Sequence, residues 1–102
     1  MEEENVNLKE IIEYPRGGVL SKELSRGKGL NATLFCMANG TKISEHTATK
    51  PGFVYVIEGK GVFNIMGKKI AMLPGTFIRM EKNAVHSLRA DENTSFILLL
   101  LQ

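Results

Sequence analysis

The sequence predicts an all-β domain, a sandwich or barrel of short antiparallel strands. Three observations carry that prediction. Helical periodicity is nearly absent along the 102 residues. β-prone runs recur at a spacing of about ten residues, bounded by glycine, proline, asparagine and aspartate. Ten glycines against three prolines suit strands joined by tight turns. No helical segments alternate with the strands, which excludes a parallel α/β sheet.

Each element follows in order. LKEIIE, 8–13, admits one helical turn or a short edge strand before Tyr14-Pro15-Arg16-Gly17-Gly18 breaks the chain. VLSKEL, 19–24, reads as a strand, SRGKG, 25–29, as a loop, and LNATLFCM, 30–37, as a strand turned by Ala38-Asn39-Gly40. Residues 41–47 form a strand that carries His46, and Lys50-Pro51-Gly52 turns the chain again. FVYVIE, 53–58, is rich in β-branched and aromatic residues and ends at Gly59-Lys60-Gly61. VFNIM, 62–66, and KIAML, 69–73, flank a tight hairpin placed at Gly67-Lys68. Pro74-Gly75 leads into TFIRM, 76–80; HSLRA, 86–90, follows a loop; SFILLLL closes the chain. That makes nine or ten strands.

The terminal run FILLLL, 96–101, does not alternate, so both of its faces are expected to be covered. One face would meet the core and the other a partner subunit, giving a homodimer.

The formal charge of +2 is too small to argue for nucleic acid. Glu2, Glu3, Glu4, Glu10 and Glu13 crowd the first stretch, and Lys60, Lys68 and Lys69 bracket the hairpin as solvated turn residues. With no Trp, two Tyr and no aromatic-basic interleaving, nucleic acid is set aside. Cys36 is the only cysteine, so no intrachain disulfide forms, and its LFCM surroundings predict a buried, inert thiol. No signal peptide opens the sequence, and FILLLL is far too short to span a bilayer. The expectation is a cytoplasmic protein without a membrane partner.

The order of a His-bearing strand, VYVIEGKG, a hairpin, Pro-Gly, a strand, a loop and a second His-bearing strand resembles the cupin family. The likeness is close over residues 40–90, with motifs at 40–59 and 75–90. It implies a jelly-roll barrel, the double-stranded β-helix. The whole chain, 1–102, would be one such domain, with 1–14 an N-terminal edge segment and 30–102 the barrel. In the first motif Gly40 is followed by His46; Ala48 takes the second His place, Gly52 the Glu place, and Gly59 closes it. In the second, Gly75 leads through TFIRM and Glu81 to His86.

The resemblance implies a pocket inside the barrel with His46, Ala48 and His86 at its wall, and His46 and His86 as metal-ligand positions. The cofactor it implies is a divalent transition metal: iron, manganese, nickel or zinc. Catalytic zinc normally takes three protein ligands and non-haem iron two His and a carboxylate, so two imidazoles leave the set incomplete. Glu45 points to the opposite face of its strand from His46. Glu58 lies at the far end of its strand, Glu81 in a loop, and Cys36 offers an unconventional thiolate.

Arg79 interrupts an apolar strand. It is either an exposed residue whose stem lies on apolar surface or a pocket guanidinium binding an anion. Tyr55 has the opposite parity to Gly52 and faces away from the pocket. Met37, Met66, Met72 and Met80 read as core filler.

Three function classes follow. The first is a small-molecule binding barrel whose ligand is a small organic acid or sugar-like compound. The second is a metal-dependent dioxygenase, isomerase or decarboxylase. The third is a structural or regulatory module acting through dimer contacts. No reaction is assigned by the sequence.

Overall fold

The computed structural model describes residues 4–27 and 29–102. Glu2 and Glu3 of the acidic stretch and Lys28 of the SRGKG loop lie outside the described residues. The described residues form a one-turn helix, α1 (Leu8–Ile11), followed by nine strands. These are β1 (Val19–Arg26), β2 (Leu30–Met37), β3 (Lys42–His46), β4 (Gly52–Glu58), β5 (Gly61–Ile65), β6 (Lys68–Met72), β7 (Phe77–Met80), β8 (His86–Ala90) and β9 (Thr94–Leu101).

The strands make a five-stranded sheet, ordered β1-β2-β9-β4-β7, and a four-stranded sheet, ordered β3-β8-β5-β6. Every pairing is antiparallel. From β2 onward the chain keeps crossing between sheets: β3 leaves, β4 returns, the β5–β6 hairpin leaves, β7 returns, β8 leaves and β9 returns. This is jelly-roll connectivity, with the sequence-derived strands in their expected places.

Alternation along β2 divides the interior in two. Phe35 and Met37 face inward, with Val54, Val56, Phe63, Met72, Ile78, Met80 and Phe96 in the core between the sheets. Leu34 and Cys36 face the other way and join Ile97 in a second cluster. That cluster is roofed by Leu8, Ile11, Ile12 and Tyr14 of the N-terminal segment. The second face of β9 is therefore covered by the chain's own N-terminal segment, where the sequence suggested a partner subunit. The roof is tied down by polar contacts. Tyr14 donates to Glu58 Oε2 at 2.7 Å, and Lys22 Nζ donates to the Ile11 carbonyl at 2.7 Å. Burial of the Tyr14 ring, with Glu58 beside it, pushes its hydroxyl up to about 12.

The hairpin differs from expectation by one residue. Ile65 pairs with Lys68, so the turn is Met66-Gly67, both at positive φ (49° and 81°). Such a two-residue turn matches the twist of its flanking strands. Met66 is consequently 71% exposed rather than core filler, while Met37, Met72 and Met80 are buried as expected. Among the described residues no helix is long and apolar enough to cross a membrane.

Candidate functional site

The two histidines meet at one end of the four-stranded sheet. His46 ends β3, His86 begins β8, and the two are directly paired. A bulge makes this possible. Ile43 pairs with Leu88 and His46 with His86, so three steps along β3 match two along β8. Without the extra residue, Ile43 and His46 would point to opposite faces. With it, both line the same inward cavity. The ring centroids of His46 and His86 are 4.1 Å apart, tilted at 59°.

Both imidazoles are held in the same tautomer. His46 Nδ1 lies 2.8 Å from the Ser44 carbonyl oxygen and His86 Nδ1 lies 2.9 Å from that of Ala84. A carbonyl only accepts, so each Nδ1 carries a proton, and in the neutral ring Nε2 then keeps its lone pair. His86 is buried, whereas His46 is exposed. Burial holds His86 below the usual histidine value; the Ala84 carbonyl opposes this and the neighbouring His46 adds to it.

Behind the pair lies a cavity of about 170 Å³. Its wall from the five-stranded sheet includes Phe35 and Phe96, stacked at 5.2 Å, with Val54 and Leu98. Its wall from the four-stranded sheet includes Ile43, Leu88 and Phe63, the last stacked parallel to His86 at 5.7 Å. Among the described residues the imidazoles are the only polar side chains lining it. The sequence did not single out these apolar walls. Their signal was there in the inward alternation of β2, β4, β5 and β8, but alternation marks a filled core and a cavity alike.

The other candidates sit elsewhere. Ala48 is half-buried just past the end of β3, where its carbonyl accepts from Asn83 N at 2.7 Å; it is not a cavity residue. Arg79 is exposed on the outer face of β7, because its neighbours Ile78 and Met80 take the inward face. It is not part of the pocket. Tyr55, 45% exposed, faces outward too.

The donor set does not fit a resident metal. Among the described residues no three His, Cys, Asp or Glu side chains are grouped to share an ion. Cys36 lies in the outer cluster, and Glu58 is engaged by Tyr14. Glu45 and Glu81 are exposed. Gly52, at the Glu place, is closed to any side chain. A Cβ there would collide with the Leu99 carbonyl oxygen and lie 2.7 Å from Leu100 Cδ2. Strand β4 approaches β9 through the space that a carboxylate would need.

Comparison with known proteins follows the fold. The family model described as a cupin domain matches residues 33–101. A search of curated proteins gives no match. A conserved protein of unknown function from Streptococcus pyogenes is 22% identical with TM-score 0.88, over 100% of this chain and 90% of that one. A cupin superfamily protein from Desulfitobacterium hafniense is 21% identical with TM-score 0.88, over 99% and 93%. A Cupin 2 conserved barrel domain protein from Leptotrichia buccalis is 28% identical with TM-score 0.88, over 95% of this chain and 47% of that one.

Proposed function

Since this chain belongs to the cupin family, we propose that it is a small-molecule binding barrel whose ligand occupies the cavity behind His46 and His86. The observation that carries this is an apolar recess lined at one end by two imidazoles whose Nδ1 atoms are already engaged by backbone carbonyls. Ligand pockets are commonly apolar with a few convergent polar groups that set orientation. The cavity wall supplies burial, and the imidazoles supply direction. The sugar-like ligand class suits it poorly, because the hydroxyls of a sugar would be buried against phenylalanine without partners. A cytoplasmic location belongs to the same proposal.

The test is metal content together with ligand response. Protein purified without a metal-affinity step is measured by elemental analysis, and its melting temperature is followed with chelator and with a library of small organic compounds. The expected outcome is no stoichiometric metal, no response to chelator, and a stabilising shift with a subset of the library. The competing metal-enzyme reading requires near one transition metal per chain, lost in His46→Ala. That result would overturn the binding-barrel proposal.

We also propose a homodimer, now through a different surface. The N-terminal segment covers the outer face of β4 at Ile57, and Tyr55 and Phe77 remain exposed on the outer face of β4 and β7. There Phe77 is 59% exposed and stacks on Phe53 at 5.2 Å, beside Tyr55. A second copy would bury this aromatic patch. Light scattering should give twice the chain mass, and Phe77→Glu should give the monomer; a monomeric wild-type chain removes the proposal.

A further inference from the structure

The cavity constrains its ligand by size, by wall and by hydrogen-bond sense. A cavity of about 150 Å³ lined by aliphatic and aromatic side chains takes one benzene; here the volume is about 170 Å³. The space fits one six-membered ring with a short substituent.

The walls favour a flat ring. Phe35 and Phe96 stand on one side, and Phe63, parallel to His86, on the other. Aromatic groups pack on such surfaces in offset or edge-to-face arrangements, a gain beyond their buried area. Every polar substituent away from the imidazoles would be desolvated without a partner. One polar group is therefore accommodated, at the histidine end.

The sense of that group follows from the tautomers. Both Nδ1–H groups are taken by the Ser44 and Ala84 carbonyls. In the neutral rings the nitrogen left for a ligand is Nε2, and its lone pair is complemented by a donor. Against neutral imidazoles a carboxylate would set its acceptors against acceptors. Among the described residues no lysine or arginine lines the cavity to neutralise it, and Arg79 is on the far face of its sheet.

On top of the binding role proposed above, we infer that the ligand is a single-ring aromatic compound whose one polar substituent is a hydroxyl. That hydroxyl donates to Nε2 of His46 or His86. The ligand class is a phenol rather than an organic anion or a sugar.

Isothermal titration of the full chain at neutral pH tests this with four probes: phenol, anisole, benzoate and glucose. Anisole keeps the ring and oxygen of phenol but has no O–H. Phenol should saturate one site per chain, anisole should bind about tenfold more weakly, and benzoate and glucose should be weaker still. His46→Leu or His86→Leu, once shown to melt like the parent, should bring phenol and anisole to equal affinity in at least one case. Should both variants unfold, the phenol-to-anisole ratio in the parent chain decides. Equal affinity of phenol and anisole in the parent would overturn the donor assignment and leave the binding role standing. Benzoate or glucose binding more tightly than phenol would overturn the ligand class and again leave the role. Failure of all four probes would overturn the inference, and stoichiometric metal alongside that failure would remove the binding role as well.

Discussion

The two faces of strands β2 and β9 carry similar residues and end up differently packed. On the outer face, Leu34, Cys36 and Ile97 are sealed under the N-terminal segment. On the inner face, Phe35, Phe96 and Leu98 border a cavity. The outer roof is a short segment outside both sheets, free of their hydrogen-bond register, and it settles onto the surface β2 and β9 present. The inner face is opposed by a second sheet whose position is fixed by its own hydrogen bonds. Rigid sheets do not collapse around a missing side chain, so space survives there. A cavity can be kept open inside because closer packing outside stabilises the sheet.

Truncation should separate the faces most clearly. Leu34→Ala in the sealed cluster should cost about 3 kcal/mol, because it opens a new void. Leu98→Ala, half-buried beside existing space, should cost about 1 kcal/mol, close to the transfer of its lost methyl groups alone. Urea denaturation measures both. Equal losses would mean that the two faces are packed alike.

Gly52→Ala sharpens the inner side. A Cβ has no room between the Leu99 carbonyl and the Leu100 side chain, so the substitution should cost about 2 kcal/mol. Stability unchanged within a few tenths would show that β4 moves away from β9 easily, and that the Glu place is open after all.

The smallest expected effects are in pH. His86 is held below its unfolded value of 6.5. The folded state therefore binds fewer protons, and its contribution is full above about pH 6.5 and lost as pH falls through that value toward the folded one. Tyr14 behaves oppositely on the outer face. Raised from 10.0 to about 12, its contribution is full below pH 10 and lost as pH rises toward 12. Melting temperature against pH should lose its acid limb in a folded His86→Leu variant and its alkaline limb in Tyr14→Phe. Exchange of those assignments would contradict the placement of the two groups.

Much of the strand order was legible because turns and strands are local. LNATLFCM and HSLRA occupy β2 and β8 at the expected residues, since β-branched and apolar runs end where glycine, asparagine or aspartate turn the chain. The hairpin slipped by one residue because Met66 adopts a positive φ, which a methionine does not advertise. His46 and His86 were found as a pair from their motif positions. That they touch depends on the β3 bulge, which strict two-residue alternation cannot represent.

By itself, the sequence determined the all-β class, the strand segments and the absence at Ala48 and Gly52 of side chains that could ligate a metal. These follow from local propensity and residue identity. Tertiary structure decided what covers β9, where Arg79 points, which tautomer each imidazole keeps and how much space lies behind them. Those depend on groups distant in sequence, such as Leu8 against Ile97 or Leu99 against Gly52. Such contacts exist only once two sheets and their roof have been brought together.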